Sequence, residues 1–269
     1  MKDDMTKKLA ILRIVGQDRN EVEDVVVNEH SATIMLNDEE VVTLLCSPTR
    51  LECLAAGFLL SEGLIKSREE IITTEVSGDK QRSTVRVEVK GPVEIGKYAS
   101  SGRLIASSGA RGSSSGIDAD PASRIKIESR VKISSREITA LVEKFHQCSP
   151  VFTETGGVHS AALCSTEDVL IFSDDIGRHN AIDKVFGECL LNDTPADERL
   201  IVTSGRVSSE ILLKVARRNI PIIISVSAPT DVAVGLADRL GITLVGFVRV
   251  NRMNIYTHSW RVTTGGGQK

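Results

Sequence analysis

Two rhythms of apolar and polar residues divide the chain. Residues 20–46 carry short alternating runs, "VEDVVVNEH" and "ATIMLNDEEVVTLLC", the period-two pattern of strands, with Asn37-Asp38 as the turn between two of them. "SPTRLECLAAGFLLSEGLI" follows, and Leu51, Leu54, Ala55, Phe58 and Leu59 fall at helical spacing. Ser47 with Pro48, or Thr49 with Glu52, supplies a helix opening, and Gly63 a close. Alternation returns over 70–90, clearest in "STVRVEVK", and is lost over 99–123.

From Ser134 the rhythm changes. "SSREITALVEKFHQC" has a capping box from Ser134 to Glu137 and an apolar stripe of Ile138, Leu141, Val142, Phe145 and Cys148. Strands are predicted at 158–164, 168–173, 199–203, 221–226 and 242–250, and helices at 179–191, 207–219 and 230–240. The helix over 179–191 carries Ile182, Val185, Phe186, Cys189 and Leu190 on one face. The short link Thr166–Asp168 predicts an antiparallel hairpin between the first two strands. Regular alternation after that predicts an open, mainly parallel sheet with helices on both faces. The expected class is therefore α/β: a smaller β-rich part with one helix over 1–130, a three-layer α/β/α part over 131–262, and a disordered tail over 263–269.

Composition narrows the function. A chain of 269 residues with 41% apolar and 26% charged residues can bury a core without staples. A net charge of -3 and 3% aromatics exclude a general nucleic-acid binder that works by basic field and base stacking. "MKDDMTKKLA" leads into no apolar core of a signal peptide, and no run of about 20 apolar residues could span a membrane, so a cytoplasmic protein is expected. Five cysteines without a CxxC pair read as reduced thiols rather than a disulfide framework or zinc site.

Three polar loops follow predicted strands: "SDDIGRHN", "TSGR" and "SVSAPT". Each precedes a helix N-terminus, where free N–H groups favour anions. Arg178 and Arg206 add bidentate donors, and Gly177 and Gly205 let a ligand approach the backbone. Together they predict a site for a ligand with several phosphates; ordinary capping loops with surface arginines are the plainer alternative. No P-loop pattern is present.

His159 reads as a base, a ligand contact or a core histidine. His159, Asp174, Asp175 and His179 match no established zinc spacing, and Ser204, His179 and Asp175 lack the GxSxG elbow of a hydrolase. Cys148, Cys164 and Cys189 read as packing residues. Cys46 and Cys53 flank a helix start, where a thiolate is favoured, and are the thiols to test for reactivity; inert packing is the plainer reading of both. In "GFVRVNRMNIYTHSW", Arg249, Arg252 and two amides suit a nucleotide base and its phosphates; exposed edge-strand arginines are the plainer alternative.

The chain resembles the formate dehydrogenase accessory family (FdhD/NarQ), which supplies sulfur carriers. The likeness rests on "RLECLAAGFLLSEGLI", "TETGGVHSAAL" and "DDIGRHNAIDKVFG", and on the long stretch from "VTSGR" through "VSAPT" to "RVNRMNIYT". It implies a cytidine-deaminase-like fold for the C-terminal part without the zinc deaminase signature. It implies that sulfur arrives as a persulfide from a cysteine desulfurase. The recipient is the molybdenum bis(molybdopterin guanine dinucleotide) cofactor of the formate dehydrogenase catalytic subunit, GDP being a mimic. It implies a homodimer, with no nucleic acid or membrane as partner. It places the guanine-cofactor segment on Phe247, Val248, Arg249, Val250, Asn251 and Arg252, beside Arg178, His179 and Arg206. The family's reactive cysteine falls in a Gly-rich loop whose match is "SSGARG", with Ala110 at its place. Alanine cannot accept sulfur, so the resemblance carries over no catalytic residue and no metal ligand. A cofactor-binding or guanine-nucleotide-binding chaperone that does no sulfur chemistry is the alternative.

Overall fold

A computed structural model describes residues 5–93, 104–105 and 120–264. At its N-terminal end β1 (Thr6–Val15) and β2 (Asp18–Val27) form an antiparallel ribbon. Next come β3 (His30–Leu36) and β4 (Glu39–Cys46), joined at Asn37, whose φ of 52° makes the expected turn. Asn37 Oδ1 also accepts the Val89 N–H, which fixes the turn against the neighbouring strand. After α1 (Leu51–Glu62), β5 (Ile71–Gly78), β6 (Arg82–Val89) and β7 (Leu104–Ile105) complete a five-stranded sheet of order β5-β6-β3-β4-β7.

Helix α1 ends at Gly63, with φ 74°, as expected, but opens differently. Its N-cap is Arg50, in the left-handed region at φ 57°, with no side-chain cap. Tertiary bonds outcompete local capping here. The Arg50 guanidinium donates to Phe172 O and Ser173 Oγ and pairs with Glu188, while Ser47 donates its N–H to Asp175 and accepts from Ile176 N–H.

The second part runs β8 (Ile133–Ser134), α2 (Ser135–Gln147), α3 (Pro150–Thr155), β9 (His159–Cys164), β10 (Val169–Asp175) and α4 (Arg178–Leu191). Then follow β11 (Leu200–Thr203), α5 (Ser209–Ala216), β12 (Ile222–Ser225), α6 (Asp231–Leu240), β13 (Thr243–Arg249), β14 (Arg252–Ile255) and β15 (Val262–Thr263). The capping box at Ser134 and Glu137 is formed in both directions. The six-stranded sheet has order β10-β9-β11-β12-β13-β14; β11, β12 and β13 are parallel, and β9 pairs antiparallel with β10 and β11. Thr263 pairs with Ser134, while residues 265–269 of the expected tail lie outside the described residues. Most of the expected loop over 99–123, with Ala110, also lies outside them.

Successive strand residues face opposite ways, and the sheet sorts its apolar residues accordingly. Ala162, Cys164, Val202, Ile224 and Val245 pack with Ile138, Leu141 and Phe145 of α2. Ala161, Leu163, Ile201, Ile223 and Leu244 pack on the other side with α4, α5 and α6, in a core that continues through α1 to Ile34, Leu44 and Val85. The mixed α/β architecture expected from the pattern is present, and the two parts share one core.

Helix α4 is buried along most of its length, including Asn180, Asp183 and Lys184, because α1 and the sheet enclose it. At the crossing, Gly57 and Gly187 let backbone touch backbone. A Cβ on Gly57 would lie 1.7 Å from Asp183 O, and one on Gly187 1.8 Å from Cys53 O. Asp183 also accepts from Ser61 Oγ and pairs with Lys214, tying α1, α4 and α5 together.

Candidate functional site

One edge of the six-stranded sheet gathers the chemistry. Parallel pairing brings together the C-terminal ends of β11, β12 and β13, and the antiparallel pairing of β9 with β11 and β10 adds the start of β9 and the C-terminal end of β10, with His159 opposite Asp175. All three predicted loops therefore open at this edge. The helices that follow them begin there with Gly177, Ser208 and Thr230 as N-caps. Ser208 and Thr230 satisfy one N–H each of their helices; Gly177 has no side chain to offer α4.

The loop before α4 is fixed from beneath. Asp175 is fully buried and accepts from Ser47 N–H (3.0 Å), Gly177 N–H (2.9 Å) and Asn180 Nδ2 (2.9 Å). Lys184 Nζ, also fully buried, lies 2.7 Å from Asp175 Oδ2 and donates to Ser47 O and Asp174 O. Asp174 faces the other way and accepts from Ser149 Oγ (2.7 Å) and Ser160 Oγ (2.5 Å). Burial raises the Asp174 pKa against those two bonds.

Above this support sit the cationic groups. Arg178 crosses Gly205: a Cβ there would stand 2.8 Å from Arg178 Cβ. Arg178 Nε is buried without a hydrogen-bond partner among the described residues. Burial and the neighbouring Arg206 lower the Arg178 pKa, opposed by Glu210. Two arginines this close, one with an unspent buried donor, make a place where an anion relieves both repulsion and desolvation. His179 is buried with Nε2 3.2 Å from Glu210 Oε2, a contact that becomes an ion pair only when the imidazole is protonated. Its Nδ1 has no partner among the described residues, and burial lowers its pKa. His159 Nδ1 lies 3.4 Å from Ser204 Oγ, which accepts the Ser160 N–H. Burial and then Arg178 lower the His159 pKa.

A cavity of about 270 Å³ opens at this edge, lined by His159, Ser160, Ser204, His146 and Ser149, with Phe145, Phe152 and Val226 as its apolar walls. Arg249 reaches its rim: Nη1 donates to Val226 O and Val248 O, and the Arg249 charge adds to burial in lowering the His146 pKa. Val250, Asn251 and Arg252 line a separate groove of about 440 Å³ against Arg136, Thr139 and Glu143 of α2. Val248 is buried in the core under α2, and Phe247 is held at φ 52° with its N–H on Ser227 O. Arg249 thus stands between the cavity and the groove.

The other constellations do not assemble. Asp174 and Asp175 point to opposite sides, and no cluster of three His, Cys, Asp or Glu side chains suited to a metal occurs among the described residues. Ser204 meets His159 rather than His179, and Asp175 is committed to Lys184. Burial pushes every thiol up: Cys46 and Cys164 to about 12, Cys189 to about 11, with Cys53 and Cys148 also raised. The helix start near Cys46 and Cys53 does not activate them, because the desolvation of each sulfur outweighs the nearby Lys184 or Arg50. His146, Ser149 and Ser160 are cavity residues that sequence reasoning missed; "HQCSP", where one helix ends and a serine caps the next, is the signal that marks His146 and Ser149.

Comparison with known proteins gives a consistent picture. Residues 27–263 match the model of the FdhD/NarQ family. The sulfur carrier protein FdhD of Bacillus subtilis (strain 168) is 41% identical over 262 residues, covering 97% of this chain and 99% of its own. The sulfur carrier protein FdhD of Listeria innocua is 37% identical over 261 residues, covering 97% and 100%. A crystal structure described as a formate dehydrogenase accessory protein from Desulfotalea psychrophila matches with a TM-score of 0.78 at 27% identity, covering 96% of this chain and 100% of that one.

Proposed function

This chain belongs to the FdhD/NarQ family, and from that premise we propose that it is an accessory protein for formate dehydrogenase maturation that moves persulfide sulfur from a cysteine desulfurase to the molybdenum bis(molybdopterin guanine dinucleotide) cofactor, which it holds as cargo. The observation that carries this reading is the grouping of Arg178, Arg206 and Arg249 around one sheet edge, beside a cavity with apolar walls. Arginines at the rim suit pyrophosphate, and the cavity or the groove beside Arg252 suits a flat ring. The N-terminus of α4, with no side-chain cap, adds N–H groups aimed at the same edge. In this reading the chain's own residues bind and orient the cargo, and the formate dehydrogenase catalytic subunit receives it. The protein acts as a homodimer in the cytoplasm; five unpaired cysteines agree with a reducing compartment. No helix among the described residues is long and apolar enough to cross a membrane.

A specific observation favours a second form of this role, a carrier of cofactor that takes no sulfur. Ala110 stands where the resemblance expects the reactive cysteine, and all five thiols are held protonated by burial. Incubation with a cysteine desulfurase and free cysteine, followed by cyanolysis, separates the two forms. No cyanide-labile sulfur on the wild-type protein, with sulfur appearing on Ala110→Cys, supports the second form; sulfur on the wild type restores the first. Calorimetry with GDP tests the shared premise. Binding that weakens about tenfold in Arg249→Ala and in Arg206→Ala, as expected for loss of a charge-assisted bond, supports the site. Absence of binding, or affinity untouched in both variants, overturns it.

A further inference from the structure

His159 occupies the strand start that lies between two of the polar loops. The sheet order β10-β9-β11 sets it beside Asp175, where the loop to Arg178 begins, and beside Ser204, where the loop to Arg206 begins. Arg178 crosses Gly205, so the two loops meet at this point. His159 is half-buried and lines the cavity.

One nitrogen of its ring is engaged and one is open. Nδ1 lies 3.4 Å from Ser204 Oγ, while Nε2 makes no hydrogen bond with any described residue. A hydroxyl both donates and accepts. Ser204 Oγ accepts the Ser160 N–H, and it can also donate to a bare Nδ1 or accept from a protonated one. The contact therefore survives a change of charge on the ring. His30 differs, with Nδ1 against Lys80 O and Nε2 against Ser83 Oγ, which leaves no nitrogen for a ligand.

The surroundings keep the ring neutral in the free protein. Burial disfavours its charge most, followed by Arg178 and His179 from α4 and Arg206 from the loop before α5. Asp175 on β10 favours the charge, but Asp175 is itself paired with Lys184. On the α2 side of the cavity stands His146, close to Arg249, and Asp174 is occupied by Ser149 and Ser160. An anion seated on Arg178 and Arg206 reverses this balance. It cancels the repulsion from both guanidinium groups and sets negative charge near the open nitrogen.

We propose that His159 is a ligand of the bound pyrophosphate and takes up a proton from solvent as that anion seats. The imidazolium then has one N–H for Ser204 and a second for a phosphate oxygen. Binding strengthens as pH falls, until the free protein also holds the proton. This inference rests on the proposed phosphate seat at Arg178 and Arg206, and adds to it a residue and a dependence on pH.

The test is calorimetry of the full chain with GDP-mannose, in which the pyrophosphate is a diester. GDP is unsuitable as the main probe, because its terminal phosphate exchanges protons at about pH 6. Binding enthalpies measured at about pH 6.5 in buffers of different ionisation enthalpy give the number of protons taken up, and about half a proton is expected. Affinity is expected to be about fivefold higher at about pH 6 than at about pH 7.5, within the roughly tenfold per pH unit that one group allows. His159→Gln cannot titrate, and is expected to lose both the uptake and the pH dependence. Histidine resonances of the wild type, followed against pH with and without GDP-mannose, give a second reading that needs no variant: the midpoint of one imidazole rises on binding. Binding without proton uptake, uptake that persists in His159→Gln, or midpoints that do not move overturn the role of His159 and leave the phosphate seat standing. No binding of GDP-mannose overturns this inference, and if GDP also fails to bind, the seat itself falls.

Discussion

Replacing Lys184 with methionine keeps a long apolar stem and removes the ammonium group from beneath the site. Lys184 and Asp175 are both fully buried and 2.7 Å apart. Breaking such a pair by removing one partner costs about 3–5 kcal/mol, because the other charge is left without compensation. Asp175 keeps the N–H donors of Ser47, Gly177 and Asn180, which places Lys184→Met near the lower end, about 3 kcal/mol. At ~2–4 °C per kcal/mol for a chain of this size, the thermal midpoint falls by about 6–12 °C. Asp175→Asn combined with Lys184→Met removes the orphaned charge and is expected to recover about half of that loss. The assay is calorimetric or circular-dichroism melting of the wild type, the single and the double variant, with GDP titration of each. Asp175 anchors Gly177, the residue before Arg178, so the single variant is expected to bind GDP several-fold more weakly while still folded. A loss below about 1 kcal/mol, or a double variant no more stable than the single, refutes the view that this pair supports the loop.

Gly187→Ala puts a methyl group 1.8 Å from Cys53 O and forces α1 and α4 apart; the expected cost is about 3 kcal/mol net of the ~1 kcal/mol gained by replacing a helical glycine. Gly235→Ala on α6, with nothing within 4 Å of its Cβ, is the control and is expected to stabilise by up to ~1 kcal/mol; chemical denaturation of both variants checks the contrast. The pH dependence of melting follows from the buried histidines. His179 and His159 have folded pKa values lowered below the usual 6.5, mainly by burial. Between those values and about 6.5 the unfolded chain binds more protons, so stability is full above 6.5 and declines as pH falls through that window. Replacing both histidines by glutamine is expected to flatten the dependence of the melting temperature on pH just below 6.5; an unchanged slope contradicts the assignment. Asp174 has the opposite sign. Its raised pKa favours the fold below about 3.8, a contribution lost as pH rises through the folded value.

The alternating strand-helix pattern after Ser134 was legible because α2 and α6 bury one face at 3.6-residue spacing, while β9, β11 and β12, buried on both faces, read as short apolar runs bounded by polar loops. The site edge was legible for the same reason: loops after parallel strands must open on one side of a sheet. The start of α1 was not, because Ser47 and Arg50 answer to Asp175 and Glu188, more than a hundred residues away, rather than to their own helix. The ribbon was hidden before residue 20 because both of its faces mix apolar and charged residues, leaving no alternation to detect. His146 and Ser149 escaped notice because polar residues beside a cap look alike whether they face solvent or a cavity, and Ser160 because a serine within an apolar strand carries no sign of which side it faces. Asp175 and Lys184 could not be recognised as a pair, since a fully buried lysine inside a helix is against the base expectation for that residue.

The meeting of Gly57 and Gly187 bears on how this protein can be recombined. Where α1 crosses α4 the contacting atoms are main-chain carbonyls and amides, and Ser47 likewise meets Asp175 and Lys184 through its own N–H and carbonyl. The side chains that cross the same joint are few and specific, Arg50 with Glu188 and Ser61 with Asp183. Chimeras that exchange residues 5–93 for the equivalent stretch of a relative such as the Bacillus subtilis protein should therefore assemble where both glycines and these two pairs are kept, and fail when either glycine is lost. No neighbouring side chain can be trimmed to make room, so a library selected for folding should return glycine at these two positions and variety around them.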